Sequence, residues 1–353
     1  MTADEAGNAP APTRDLRKYG YTGTEPVPEG LMPGRVVENH KLQYKVITAV
    51  GELSAIVKGS FHFGTQAQGD YPCVGDFVLV QYNGSEPSLI ARLLPRKTYF
   101  SRADYSGHLA KYAKTIVEQV IAANIDTVFI ITSLNKDFKI NRIERYVTLT
   151  RQSGAGAVIL LTKADLTDDP GAYEGKVRAV MPDIPVHAIS NVTRFGYEHV
   201  YRYLAPGTTT VFLGMSGVGK SSLLNSLIGY EAMIVKEIRE DDSRGRHTTT
   251  HRQLFTLPSG AMVIDTPGMR ELGLFNASDG IGATFADIAA IISKCRFSDC
   301  RHGSEPGCAV NEALGDGSLP RRHWENYLAQ LSEMRFVDDK SKYMRERNKK
   351  RPR

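Results

Sequence analysis

The sequence predicts three consecutive units: a small all-β barrel, an α/β domain with a largely parallel sheet, and a helical C-terminal section holding a Cys/His cluster. Three observations carry that reading. Short apolar runs punctuated by glycines fill residues 34–96, buried-strand and helix-length stretches alternate over 113–282, and Cys295, Cys300, His302 and Cys308 crowd into fourteen residues. A length of 353 residues suits two or three domains at roughly 150 residues each. With 41% hydrophobic and 24% charged residues, the chain is neither disordered nor low-complexity.

Residues 1–33 mix Pro, Gly, Ala and charge without a period and are expected to form a flexible lead-in. From 34 to 96, the runs Arg35–Val37, Tyr44–Ile47, Ala55–Val57, Asp76–Val80 and Ser88–Ala91 predict five short strands and an OB-type barrel. That fold is often used on single-stranded or looped RNA, although fold alone does not establish function. Residues 97–112, rich in Lys, Arg and Tyr, read as a linker. The α/β rhythm over 113–282 has strand candidates Thr127–Thr132, Ala157–Leu161, Val186–Ile189, Thr210–Leu213 and Ala261–Ile264. Helical stretches Ile140–Arg151, Gly171–Met181 and Lys220–Ile228 fall between them. Residues 283–339 read as a helical, metal-binding section and 340–353 as a basic tail. The formal net charge is +5, but residues 340–353 alone contribute +7, which leaves −2 for the rest. Basicity therefore belongs to the tail, in the manner of a nucleic-acid arm. Four cysteines are too few for a disulfide-built fold of this size. No run approaches the ~18 apolar residues of a membrane span, and no secretory signal is visible, so a cytoplasmic protein without a membrane partner is expected.

Gly214, Met215, Ser216, Gly217, Val218, Gly219, Lys220 and Ser221 fit the phosphate-cradling G-x-x-x-x-G-K-[ST] pattern at every fixed position. A strand candidate precedes them, and a helix with Ser222, Leu223 and Leu224 follows. Backbone N–H groups of such a loop wrap phosphate oxygens at the helix N-terminus. Lys220 is expected on the β- and γ-phosphates and the Ser221 hydroxyl on Mg²⁺. Asp265-Thr-Pro-Gly268 closes the strand Ala261–Ile264, where Asp265 can hold Mg²⁺ and the Gly268 N–H can meet the γ-phosphate. Between them, Arg244–His251 contains three threonines. Thr249 is the expected Mg²⁺ ligand of a γ-phosphate-ordered switch, with Thr248 and Thr250 as alternatives.

Base recognition is read at Thr162, Lys163, Ala164 and Asp165, a Thr-Lys-x-Asp at a strand end. A carboxylate accepts from guanine N1–H and N2–H₂ together, a donor pair that adenine lacks, while the Lys stem covers the base. Ser190, ending the next strand, can supply a backbone donor to guanine O6. These elements precede the phosphate loop, whereas in the usual GTPase order they follow it. The domain is thus predicted to be a circularly permuted P-loop GTPase domain.

With Glu118–Asp126, Asn141–Tyr146, Gly214–Asn225, Arg244–Arg252 and Asp265–Glu271, the chain resembles the circularly permuted GTPase that depends on the small ribosomal subunit, a bacterial assembly factor. The resemblance runs from about residue 34 to 331, with Thr162 and Asn191 as mild departures. It implies GTP hydrolysis to GDP stimulated by the small subunit, rRNA contact by the barrel, and a late role in subunit maturation. A monomer is expected.

Cys295, Cys300, His302 and Cys308 offer three thiolates and an imidazole, a set that suits one structural, tetrahedral Zn²⁺ with no open position. His323, beside Trp324, reads as packing or surface rather than a ligand. Met269 stands where many GTPases place a water-orienting Gln, so intrinsic hydrolysis is expected to be slow. His251 or His247 in the switch, or the RNA partner, is the candidate source of the missing group. Other readings are an RNA-binding scaffold in which GTP is only structural or regulatory, a permuted GTPase serving the large subunit, and a metabolic ATPase.

Overall fold

The glycine-punctuated runs near the N-terminus close on themselves. In the computed structural model, which describes residues 14–23, 26–40, 43–59, 71–84, 86–104, 117–135, 138–229, 252–265, 274 and 277–349, five strands form a barrel. They are β1 (Met32–His40), β2 (Gln43–Thr48), β3 (Gly51–Val57), β4 (Phe77–Gln81) and β5 (Ser88–Leu93). β1 pairs antiparallel with both β2 and β4, and a parallel β3–β5 pair and an antiparallel β4–β5 pair complete the ring. Val36, Val46, Ala55, Val78, Val80 and Ile90 fill the interior, as strand alternation requires.

β1 is longer than the barrel needs. Its register with β2 shifts between Val36 and Glu38, a bulge that re-aims its second half. Val36 therefore points into the barrel, while Val37 joins the core of the neighbouring domain. Beside it, Arg35 is 1% exposed. Its Nη1 donates to Tyr19 O (2.5 Å), and its Nη2 donates to Thr209 Oγ1 (2.8 Å) and Asn124 O (3.2 Å). One buried guanidinium thus spans both units.

β6 (Tyr99–Asp104) and β7 (Val117–Ala123) form an antiparallel pair. The stretch 97–112, expected to be a linker, therefore contributes a strand. Its polar, basic composition conceals the strand, because the pairing comes from residues well downstream.

The α/β domain follows as β8 (Thr127–Ser133), α1 (Ile140–Ser153), β9 (Gly156–Thr162), α2 (Pro170–Arg178), β10 (Val186–Ala188), α3 (Tyr197–Tyr201), β11 (Thr209–Leu213), α4 (Lys220–Ile228), β12 (Arg252–Thr256) and β13 (Met262–Asp265). The strand order is β10-β9-β8-β11-β13-β12-β1. The first five strands are parallel, and β12 is antiparallel to both β13 and β1. The expected strands all form, and β12 is an addition. The chain builds outward from β8 to β10, then returns to lay β11 on the other side of β8. Ligands bind where strand order reverses in this way, beyond the strand C-termini.

Alternate residues of each strand feed two cores. Val128, Ile130, Ile159, Leu161, Val211 and Ile264 face one side, and Phe129, Ile131, Val158, Leu160, Phe212 and Val263 the other. The second side is covered by Leu223, Leu224 and Leu227 of α4. The first is covered by Ile143 and Val147 of α1 and by the C-terminal section.

That section comprises α5 (Ser278–Thr284), α6 (Ala286–Ile292), α7 (Ala309–Asp316) and α8 (Arg321–Lys349). Phe285, Ile288, Val310, Leu319 and Trp324 belong to the same apolar cluster as Ile143 and Val147. The section thus shares a core with the α/β domain instead of building one of its own. Among the described residues, no helix is long and apolar enough to cross a membrane.

Candidate nucleotide and metal sites

Parallel strands bring their C-terminal ends to one edge, and the predicted motifs sit there. Gly214–Gly219 lead from the end of β11 into α4, which begins at Lys220. A Cβ on Gly214 would stand 2.3 Å from Ile131 O, so only glycine lets the loop pass β8. Gly219 adopts φ +95°, a left-handed conformation that turns the chain into the helix. Ser221 and Ser222 lie in the first turn of α4. Lys220 Nζ donates to the carbonyl oxygens of Gly214 (2.8 Å) and Met215, so its ammonium curls over the loop. Asp265 ends β13. Burial raises the pKa of its carboxyl, and the Lys220 ammonium partly offsets this. A buried carboxylate beside a phosphate-type loop is suited to a cation.

The residues expected to recognise the base join the same edge. Thr162 ends β9, and its hydroxyl lies 2.6 Å from Val218 O and 3.2 Å from Thr132 O. A short hydroxyl here ties β9 to the phosphate loop. Lys163 takes a left-handed turn at φ +60°, and Ala164 N–H donates to Ile189 O at 3.0 Å. The buried Ser190 donates its hydroxyl to Asp165 and accepts from the N–H groups of Val192 (3.2 Å) and Thr193 (3.1 Å). Asp165 is thereby held at the mouth between β9 and β10.

Sequence reasoning missed Asn191. Its Nδ2 donates to Gly219 O (3.1 Å), and its Oδ1 accepts from Tyr197 OH (2.9 Å). Thr162 and Asn191 together clamp consecutive carbonyls of the phosphate loop. The departure from the more frequent Ala after Ser190 was the available signal. Thr248, Thr249, Thr250, His247, His251, Gly268 and Met269 lie outside the described residues.

The second cluster lies between α6 and α7. The ligand atoms of Cys295, Cys300, His302 and Cys308 lie within 4.8 Å of one another, an arrangement able to hold a metal ion. His302 Nδ1 is 3.6 Å from the Sγ of both Cys295 and Cys308, and His302 adopts φ +59°. That strained backbone aims its imidazole at the thiols. Its ring packs edge-on against Trp324 at 5.5 Å, which joins the cluster to α8. His323 is buried and is not part of the cluster. Its Nδ1 meets Glu144 of α1, and its Nε2 lies 3.1 Å from Asp287 of α6. It is a buried ion-pair residue, where packing or surface was expected. Burial alone would lower its pKa, but Asp287 and Glu144 outweigh burial and raise it to about 9.

The chain is similar to known proteins over most of its length. A family model described as RsgA GTPase matches residues 93–275. The chain is 43% identical over 325 residues to the small ribosomal subunit biogenesis GTPase RsgA 1 of Listeria innocua, covering 91% of this chain and 90% of that protein. It is 40% identical over 314 residues to the small ribosomal subunit biogenesis GTPase RsgA of Methanosarcina acetivorans, covering 88% and 81%. Among solved structures, YjeQ from Thermotoga maritima superposes with a TM-score of 0.61 at 24% identity, covering 86% of this chain and 98% of that one. YloQ, described as a circularly permuted GTPase, gives 0.57 at 23% identity, covering 92% and 98%.

Proposed function

Because the chain belongs to the RsgA GTPase family, we propose that it binds GTP with Mg²⁺ at the β11–α4 loop, hydrolyses it to GDP and phosphate, and serves assembly of the small ribosomal subunit. The observation that carries this reading is the clamp: Thr162 and Asn191, from two successive strand ends, both grip the phosphate loop. With that clamp, Asp165, Lys220 and Asp265 stand at one edge of the sheet although their order along the chain is rotated.

Each residue then has a task. The loop N–H groups bind phosphate oxygens, and Lys220 leaves its carbonyl partners for the β- and γ-phosphates. Ser221, Asp265 and Thr249 are the proposed Mg²⁺ ligands, and that ion neutralises charge developing on the phosphates. Asp165, oriented by Ser190, reads guanine N1–H and N2–H₂, and Lys163 covers the base. His251 is the proposed water-positioning group, since Met269 cannot fill that role. Slow intrinsic turnover and stimulation by the subunit follow.

The Cys/His cluster fits Zn²⁺. With Zn–S near 2.3 Å and Zn–N near 2.1 Å, a tetrahedral site has an S···N edge of about 3.6 Å. The two spacings from His302 Nδ1 match that edge. Four protein ligands leave no open position, so the role is structural. We assign rRNA contacts to the barrel and to the metal-binding section, in a cytoplasmic monomer.

The test is phosphate release from GTP with and without purified small subunits, with large subunits and ATP as controls. Release stimulated only by small subunits and only from GTP is expected. Stimulation by large subunits alone would overturn the assignment. His251→Ala should lose stimulated single-turnover hydrolysis while keeping GTP affinity.

A further inference from the structure

The phosphate loop enters α4 through two peptides whose carbonyl oxygens are held from outside the loop. Val218 O accepts from the Thr162 hydroxyl of β9 at 2.6 Å. Gly219 O accepts from Asn191 Nδ2 at 3.1 Å and from the Leu223 N–H of α4 at 2.9 Å. A Cβ on Gly219 would lie 3.0 Å from Asn191 Nδ2, so the Asn191 side chain rests directly on this residue. The Asn191 amide is itself fixed. A carbonyl oxygen only accepts, so Nδ2 must face Gly219, and Oδ1 then accepts from Tyr197 OH at 2.9 Å. Tyr197 opens α3 and is buried, with the Arg194 guanidinium 4.9 Å over its ring.

The effect of these holds follows from the planarity of the peptide bond. In a trans peptide, a C=O and the N–H of the next residue point to opposite sides. Thr162 therefore turns the Gly219 N–H, and Asn191 the Lys220 N–H, away from the ends of β9 and β10. A left-handed Gly219 followed by helical Lys220 brings such N–H groups together into an anion-binding concavity. Glycine has the freest backbone of any residue, so the Gly219–Lys220 peptide keeps one orientation best when it is held from outside.

We propose that Asn191, oriented by Tyr197, is a positioning residue for the nucleotide phosphates: it holds the Gly219–Lys220 peptide with its N–H toward them. The proposal rests on the GTPase reading above and deepens it. Ser190 and Asn191 are neighbours with separate tasks: Ser190 orients Asp165 for the base, and Asn191 sets the loop for the phosphates. A defect at Asn191 therefore weakens nucleotide binding without changing how the base is read.

Full-length Asn191→Leu, Tyr197→Phe and the double variant are compared with the wild type by calorimetric titration with GDP and with inosine diphosphate. Unfolding temperatures are measured without nucleotide. Inosine keeps the N1–H that Asp165 reads and lacks the N2 amine, so the ratio of the two affinities reports on the base contact. Asn191→Leu, close in size to the native side chain, should bind both diphosphates about fivefold more weakly, the effect of one lost neutral hydrogen bond, with the ratio unchanged. Tyr197→Phe leaves the amide in place but unheld and should lose about twofold. The double variant should bind as Asn191→Leu does, because Tyr197 acts only through Asn191. A changed ratio in Asn191→Leu would put the residue in base recognition and overturn the proposal. Unchanged affinities would overturn it too, as would losses that multiply in the double variant or that follow the unfolding temperatures. A wild-type chain that binds neither diphosphate would instead overturn the GTPase reading itself.

Discussion

The α/β domain is joined to its two neighbours by different physics. On the barrel side the joint is main chain: β1 pairs with β12 through Glu38↔Gln253 and Asn39↔Arg252, and the buried Arg35 guanidinium rivets the strands nearby. On the C-terminal side the joint is side chain. His323 and Asn326 converge on Glu144, His323 also reaches Asp287, and Glu333 pairs with Arg145. A ladder of main-chain bonds changes only in whole-residue steps, so it conveys position stiffly. Side-chain bonds loosen one at a time and respond to protons. Each joint also adjoins a motif read from the sequence: β12 starts directly after Arg244–His251, and Leu274, whose N–H donates to Glu333, follows the segment that opens at Asp265. The stiff joint thus borders the stretch that ends at His251, and the adjustable joint the stretch that opens at Asp265.

The largest change should come from removing the metal ion proposed for the Cys/His cluster. Cys308 caps α7, and its partner ligand His302 packs on Trp324, the only tryptophan in the chain. Chelation should shift Trp324 fluorescence and expose the amides of Ala309–Asp316 to hydrogen exchange, because binding free energy of such a site is folding free energy. The barrel amides should keep their protection. If the barrel opened together with α7, the two joints would not be independent.

Next comes Arg35→Met, which should destabilise the chain by about 3 kcal/mol, since Thr209 Oγ1 and the Tyr19 and Asn124 carbonyls lose a buried donor. Denaturant midpoints measure it. A cost under about 1 kcal/mol would mean that the guanidinium fills space without riveting the joint.

Between about pH 6.5 and 9 the C-terminal joint should respond to pH. His323 titrates at about 9 in the fold against an ordinary 6.5. A raised folded pKa means that its contribution is complete below about pH 6.5 and fades as pH rises through about 9. The loss should be on the order of 2 kcal/mol. His323→Gln should flatten that part of the stability–pH curve, while Arg35→Met should leave its slope intact.

What the sequence disclosed was local, and what it hid was distant. Gly214–Ser221 and the four metal-type ligands each lie within a short window, so spacing alone exposes them. The five barrel strands and five parallel strands were legible because their alternation follows burial on one or both faces. In β12 only Leu254 is buried, and among the described side chains of β6 only Phe100 is, so neither strand shows a period of its own. His323 read as packing because its carboxylates lie 179 and 36 residues away. Asn191 and Glu333 are ordinary polar residues until the fold brings Gly219 and Leu274 to them.

The smallest effects sharpen the comparison most. Gln253→Ala removes one bond, from Nε2 to Glu38 Oε1 at 3.0 Å, but Glu38 keeps Lys45 at 3.1 Å and His40 at 3.1 Å. The main-chain pairing of Gln253 with Glu38 and Asp265 is untouched. Its cost should therefore be about 0.5 kcal/mol. Asn326→Ala also removes one residue's bonds, from Nδ2 to Glu144 Oε2 and to Asn141 O, yet Glu144 is 2% exposed and cannot turn to water for a replacement. Its cost should be about 1.5 kcal/mol, the value for a hydrogen bond to a charged group. Urea midpoints at unchanged m resolve a threefold difference of this size. Equal costs would mean that the β1–β12 ladder depends on side chains as much as the C-terminal joint does, and the contrast between a stiff ladder and an adjustable seam would fall.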